Sequence, residues 1–366
     1  MRTTAAVVEA THGPFVLRDV EVDDPGPGEV LVKITATGFC HTDEIARHGD
    51  FPFPLPGVLG HEGAGVVAAV GAGVTSVREG EGVILGWPWC GQCRSCLDGE
   101  PRYCLRLGEL VGGGHRPGGP SSLRTSDGHP LASHFCGQSS FAGYSLTSAN
   151  AVVPVPDTAP LDILGPLACG LATGAGAVFH TVRPEPGTSI AVYGVGTVGL
   201  AAVMAARCSA ATVVIAVDRT GSRLALAREL GATHTVDAAE TDPVQAIAEI
   251  CGGPADVALE CTGVIPVVRQ AIDSVGMRGR CILIGGAPAG AELTADHLST
   301  LWGKTVQGTL GGSGRSPRLI GALIDLHAQG RFPFDRLVQR FPLEQVEDAV
   351  EASRSGDVIK PVLVMP

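Results

Sequence analysis

Basic charge is scarce in this sequence: 26 Lys and Arg stand against 37 Asp and Glu in 366 residues, a formal net charge of −11. That balance argues against a general binder of phosphate backbones, whose affinity comes from clustered cations. Long hydrophobic runs are missing as well. No stretch of eighteen or more apolar residues occurs, so no membrane-spanning helix is expected. The opening residues, MRTTAAVVEATHGPF, lack the charged-then-apolar pattern of an export signal, and the expected compartment is the cytoplasm. There is no internal repeat and no collagen period. Glycine is nonetheless abundant, 51 residues, roughly twice the usual share, which points to tight turns and close backbone approach. A hydrophobic content of 45% with 17% charge suits a globular chain of about two domains.

Cysteine is present in an odd number, 11, and a chain this long needs no disulfide staples. Four of the eleven crowd together and the others scatter. Without an export signal, that distribution reads as metal ligation plus reduced thiols. Cys136, Cys208, Cys251, Cys261 and Cys281 read as small buried hydrophobes.

Texture divides the chain in three. Up to about residue 155, short β-type runs such as EVLVKITATG and GEGVILGW alternate with Gly and Pro, as in a β-rich domain. From about 188, apolar strands (SIAVYGVG, TVVIAVD, DVALECTG, RCILIGG) alternate with helical patterns, which predicts a parallel sheet covered on both faces. Beyond about 307 the texture is mixed again, so the α/β unit is expected to sit between two pieces of one β-rich domain. The Gly-rich stretch 108–130 predicts an irregular surface loop. His115, His129 and His134, in and beside it, are expected to be solvated.

Gly194, Gly196 and Gly199 form G-x-G-x-x-G around Val195, Thr197 and Val198, where the first apolar strand meets an Ala-rich helix. The first glycine allows a tight turn, the second close approach of a pyrophosphate, and the third close helix–strand contact; the helix N-terminus offers N–H donors. Asp218 ends the next strand and would accept bonds from a ribose. Its charge would repel a 2′-phosphate, so NAD is favoured over NADP, although neighbouring Arg219 could accept one.

Two constellations suit metals. Cys90, Cys93, Cys96 and Cys104 lie in CGQCRSCLDGEPRYC, and four converging thiolates match a closed structural zinc site. Iron–sulfur ligation and a pair of disulfides are the alternatives. Cys40 in GFCHTDE, His61 and Glu62 in GHEGAG, and Cys169 in PLACGLATG form a second, dispersed set. Two thiolates and an imidazole would leave one position open, as catalytic zinc requires; taken singly, each is an ordinary core residue. Asp43 could orient His61 through its other ring nitrogen.

With these motifs in order, the chain resembles the zinc-dependent medium-chain alcohol dehydrogenases over essentially its whole length. The landmarks are GFCHTD, GHEGAG, the four-cysteine lobe, the Cys169 segment, GVGTVG and SGDVIKPVLVM. The segment 135–155, FCGQSSFAGYSLTSANAVVPV, is similar to the aryl- or benzyl-alcohol dehydrogenase branch. The resemblance implies an α/β fold in which a Rossmann doubly wound parallel sheet is inserted in a β-rich, GroES-like catalytic domain. The implied division is 1–170 for the catalytic domain with a structural zinc lobe at 88–106, 171–306 for the Rossmann domain, and 307–366 for the return. It also implies two zinc ions per chain, one catalytic on Cys40, His61 and Cys169 with Glu62 close by, and one structural. Thr42 corresponds to the hydroxyl that bonds the substrate oxygen, His41 and Lys360 to basic groups against the pyrophosphate, Arg223 to one near the adenine ribose, and Thr173 to a nicotinamide neighbour. Phe51, Trp87, Trp89 and Phe135 are candidates for an apolar pocket. Where many members have a relay histidine, this chain has Ile45, so the proton must leave by another route, through water or through His48. The implied activity is hydride transfer between a primary, aromatic or allylic alcohol and NAD, in a homodimer or homotetramer. A thiol-adduct dehydrogenase, a quinone reductase and a non-catalytic dinucleotide-binding protein are the competing readings.

Overall fold

The computed structural model describes residues 1–314 and 316–366. They divide into two compact units.

The first unit comprises Met1–Cys169, a segment ending at Ile324, and Asp335–Pro366. It is built on two sheets. The smaller is antiparallel and orders its strands as Gly57–Val58, Arg2–Val8, Phe15–Val22, Leu123–Thr125 and Pro130–Leu131. The larger is organised around Glu29–Gly38, which pairs with Gly63–Val70, with Tyr144–Ser148 and with the C-terminal strand Lys360–Val364. Val362 lies opposite Gly38 in that ladder, so the last strand of the chain joins a sheet begun by its N-terminal part. Alternating burial along these strands sends Val30, Val32 and Ile34 into one cluster with Val67, Val83 and Leu85. Leu31 joins Phe39, Phe135 and Phe141 in another. The period of two in a strand does this sorting.

The segment 108–130 is more ordered than its composition suggests. Helix Leu107–Gly112 and strands Leu123–Thr125 and Pro130–Leu131 occupy much of it. Arg116 anchors the part between them through Asp23 at 2.8 Å and Glu29 at 3.0 Å. His115 and His129 are exposed as expected. His134 is not: it is 5% exposed, with a left-handed φ of 60°.

The second unit, Gly170–Gly314 with Asp325–Phe334, holds a six-stranded parallel sheet. Its order is His234–Asp237, Val213–Asp218, Ser189–Tyr193, Ala255–Glu260, Val275–Leu283, Thr305–Gly308. In chain order this is 3-2-1-4-5-6, the doubly wound dinucleotide-binding arrangement. The inner strands are continuous apolar runs, and Ala191, Tyr193, Ile215 and Ala258 are fully buried, as helices on both faces require. The sixth strand was not legible in the sequence. TVQG is exposed along its whole length and carries no apolar run. The unit therefore continues to Gly314, beyond the expected boundary at 306.

Helix Thr197–Arg207 starts directly after Gly196. A methyl at Gly199 would sit 2.0 Å from the carbonyl oxygen of Gly194, so only glycine lets the helix lie this close to the turn.

Candidate active site

Cys40 caps helix His41–His48. The Asp43 carboxylate, one turn in, accepts the Cys40 N–H through Oδ2 at 2.9 Å. Its Oδ1 accepts from Gly60 N at 3.0 Å and lies 3.0 Å from His61 Nδ1. One fully buried carboxylate thus ties the Cys40 segment to the His61 segment. It also selects the His61 tautomer: a proton held on Nδ1 by Asp43 leaves the Nε2 lone pair free. Among the described residues, Nε2 is buried and has no hydrogen-bond partner. Gln138 holds the same loop from the other side, donating to the His61 carbonyl at 2.9 Å and accepting from Gly63 N at 3.0 Å. Gln138 stands in FCGQSSF, and no local pattern there shows this role.

Ligand atoms of Cys40, His61, Glu62 and Cys169 lie within 4.8 Å of one another. Two sulfurs, an unpartnered imidazole nitrogen and a carboxylate form a donor set that fits zinc. The electrostatics agree with a site built for a cation. Cys40 is held well below the usual thiol value by its bond with Cys169, against burial, with His61 helping; the same bond and burial push Cys169 up. Burial alone would lower His61, but Asp43 and Cys169 outweigh it and raise the imidazole.

Glu62, within this cluster, is also paired with Lys360. The buried ammonium donates to both carboxylate oxygens at 3.1 Å and to the Phe39 carbonyl at 2.9 Å. Burial still raises the Glu62 carboxyl, with Lys360 opposing. The resemblance implied a pyrophosphate role for Lys360; here its donors are spent inside the first unit. Gly38 makes room for the carboxylate, since a methyl there would meet Glu62 Oε2 at 1.9 Å.

Thr42 Oγ1 lies 3.7 Å from Cys40 Sγ. His41 is exposed at the first helical position, and Ile45 and His48 are half-buried on the same helix. The expected pocket aromatics begin beside His61, where the Phe135 ring packs edge-on at 5.6 Å and meets Phe51 at 5.5 Å. Phe53, not foreseen, joins at 5.1 Å.

The four-cysteine lobe brings Cys93 and Cys96 sulfurs to 3.4 Å, Cys93 and Cys104 to 3.9 Å, and Cys90 and Cys96 to 4.0 Å. These separations are too long for disulfides, which need about 2.05 Å. They match the ~3.8 Å edge of a tetrahedron with metal–sulfur bonds of ~2.3 Å.

In the second unit, a side chain at Gly196 would meet nothing within 4 Å, so the turn before the helix presents open backbone, as a pyrophosphate needs. Asp218 accepts from Val195 N at 2.8 Å and from Arg219 N and Thr220 N at 2.8 and 3.0 Å. A carboxylate has about four lone-pair sites, so it braces the glycine turn and retains capacity for a ribose hydroxyl. Arg223 lies in the first turn of helix Gly221–Leu230 with a buried, unpartnered Nε. Thr173 is half-buried in helix Gly170–Gly176.

Asp43→Asn keeps the size of the side chain but removes its charge and its fixed claim on Nδ1–H. It should weaken metal affinity by about 10–100-fold, read by competition with a chromogenic chelator.

A family model for the alcohol dehydrogenase GroES-like domain matches residues 26–157, and one for zinc-binding dehydrogenase matches 197–328. Among relatives, a geraniol dehydrogenase of Castellaniella defragrans is 40% identical over 98% of this chain and 97% of its own. An S-(hydroxymethyl)glutathione dehydrogenase of Paracoccus denitrificans is 35% identical over the whole of both chains. The crystal structure of benzyl alcohol dehydrogenase from Acinetobacter calcoaceticus superposes with a TM-score of 0.97, at 39% identity over 100% of both chains. This chain belongs to the zinc-dependent medium-chain alcohol dehydrogenases, NAD-dependent oxidoreductases acting on small-molecule alcohols.

Proposed function

We propose that this enzyme interconverts primary benzylic or allylic alcohols and their aldehydes with NAD. The observation that carries the reading is the convergence of Cys40, His61 and Cys169 beside the aromatic wall of Phe51, Phe53 and Phe135. The geraniol and benzyl alcohol dehydrogenases among the relatives point to the same substrates.

Cys40, His61 and Cys169 would hold zinc, which would supply Lewis-acid polarisation that lowers the pKa of an alcohol oxygen toward neutrality, as it does for bound water. NAD supplies the hydride acceptor. Thr42 accepts the hydrogen bond of the substrate hydroxyl and hands its proton on. Ile45 has no group to receive it, so the onward path is water at the exposed His41 end of the helix. Asp43 keeps His61 in its ligating tautomer, and Lys360 gives the buried Glu62 carboxylate a paired cation. The aromatic wall excludes water and prefers a flat apolar group.

Cys90, Cys93, Cys96 and Cys104 hold a second, architectural zinc. Gly194, Gly196, Thr197, Val198, Gly199, Asp218, Arg219 and Arg223 bind the adenosine diphosphate half of NAD, with Thr173 near the nicotinamide and His41 near the pyrophosphate. Catalysis is assigned to the β-rich unit and dinucleotide binding to the parallel-sheet unit. The exposed edge strand Thr305–Gly308 and its neighbours Leu301 and Trp302, 66% and 52% exposed, suit pairing with a second copy in a homodimer or homotetramer. The compartment is cytoplasmic. The thiol-adduct reading rests on the Paracoccus denitrificans relative and requires activity that depends on glutathione or another thiol.

The test is a panel of benzyl, cinnamyl, allylic terpene and short aliphatic alcohols with NAD and NADP, followed by reduced-nucleotide absorbance. The expected outcome is a kcat/KM about 10²-fold higher for benzyl alcohol than for ethanol, and a clear preference for NAD from the Asp218 charge. Equal use of ethanol, or preference for NADP, overturns the reading.

A further inference from the structure

Arg102 is the most conspicuous charged group that this mechanism leaves unused. It belongs to the short turn Pro101–Tyr103, inside the four-cysteine lobe, yet its side chain is only 3% exposed. Its Nε and Nη1 are buried without a partner. Among the described residues no carboxylate pairs with it. The guanidinium instead lies over the Trp87 ring, 5.2 Å from its centroid, and Trp87 Nε1 is a second buried donor without a partner. Phe135, the ring packed edge-on against His61 at 5.6 Å, sets the place of this donor pair relative to the candidate metal site. Trp87 packs into the same apolar cluster as Phe51 and Phe135.

A buried guanidinium without a counter-ion is costly, because the charge loses its hydration and the face of the Trp87 ring returns only part of it. A planar fork of N–H donors held over an indole is suited to receive a carboxylate, the ligand that best matches its geometry. The adjacent indole N–H adds a donor suited to the same group.

We propose that Arg102 and Trp87 form a carboxylate-recognising subsite in the alcohol pocket, so that preferred substrates carry a carboxylate in addition to the hydroxyl. This deepens the proposed function and rests on it for the position of the reacting hydroxyl. Two sources could present such a group: an aromatic acid bearing a hydroxymethyl arm, or the glutathione adduct of formaldehyde. The lobe then has a second task besides stability, since its fold holds Arg102 in place.

The experiment compares kcat/KM for 3- and 4-(hydroxymethyl)benzoate, and for S-(hydroxymethyl)glutathione, each divided by that for benzyl alcohol. It uses the zinc-loaded wild type, Arg102→Gln and Arg102→Lys. In parallel, non-reacting benzoate and neutral benzamide are titrated against tryptophan fluorescence, with Trp87→Phe as the assignment control. The expected result is a ratio that favours one carboxylate source in the wild type, falls about 10²-fold in R102Q and is partly restored in R102K. Benzoate should quench the fluorescence where benzamide does not, and only while Arg102 is present. The source that gives the higher ratio identifies the substrate class. A ratio that R102Q leaves unchanged makes Arg102 a counter-charge for the Cys169 thiolate and overturns the proposal. So does failure of benzoate to bind. If R102Q does not fold, the wild-type comparison of benzoate with benzamide decides in its place, and equal quenching by the two overturns the proposal. Absence of benzyl alcohol turnover, with Arg102-dependent benzoate binding intact, refutes the proposed function while leaving the subsite standing.

Discussion

Cys40→Ser is expected to lower kcat/KM for benzyl alcohol by on the order of 10⁴-fold, the equivalent of about 5–6 kcal/mol of lost charge stabilisation, while NADH binding stays measurable. A serine hydroxyl remains protonated at neutral pH and is a poor partner for zinc beside a thiolate. The substitution also removes the charge that His61 and Lys360 now compensate. His61 Nε2 and the Cys169 sulfur then face each other across an incomplete site. The glycine turn at Gly194–Gly199 lies in the other unit, so dinucleotide affinity should be retained. Metal analysis would show about one zinc lost per chain, and NADH fluorescence titration would show binding close to wild type. Turnover within tenfold of wild type would remove this cluster from the chemistry altogether.

Cys93→Ser should act on structure. Beyond Arg102 and Cys104 the lobe buries little: helix Arg94–Leu97 buries no residue, and Leu97 and Leu105 are 73% and 75% exposed. Area burial cannot stabilise such a segment, whereas a four-thiolate zinc site contributes about 10–16 kcal/mol of apparent binding energy in small folds. The Cys93 sulfur touches both Cys96 and Cys104, so its loss breaks the polyhedron at its centre. The expected result is cleavage within residues 88–106 by a protease that spares the native chain, with an apparent Tm lower by roughly 10 °C. A resistant lobe and an unmoved Tm would mean that the four cysteines are not a metal site. Because Arg102 lies within that lobe, benzoate binding should fail together with it.

Much of this was readable before any coordinates. The metal residues could be named because ligand chemistry is local: thiol and imidazole side chains in short glycine-rich motifs carry their meaning wherever the chain takes them. The parallel sheet was readable for a related reason. Inner strands covered on both faces must be apolar throughout, and SIAVYGVG and TVVIAVD are. The edge strand Thr305–Gly308 broke that rule because it is solvated, and its order comes from pairing with Val275–Leu283 alone. The stretch 108–130 looked irregular by composition, yet backbone hydrogen bonds to Phe15–Val22 drew part of it into a sheet.

The sequence by itself determined which side chains could serve as ligands and the order in which the folding units follow one another, because side-chain type and hydrophobic period act within a few residues. Only the tertiary structure decided what those residues are spent on. It paired Lys360 with Glu62, a partner 298 residues away, gave Asp43 to both Gly60 and His61, buried His134 and left Arg102 without a counter-ion. Burial and electrostatic partnership are set by whatever distant chain arrives alongside, and no local pattern encodes that arrival.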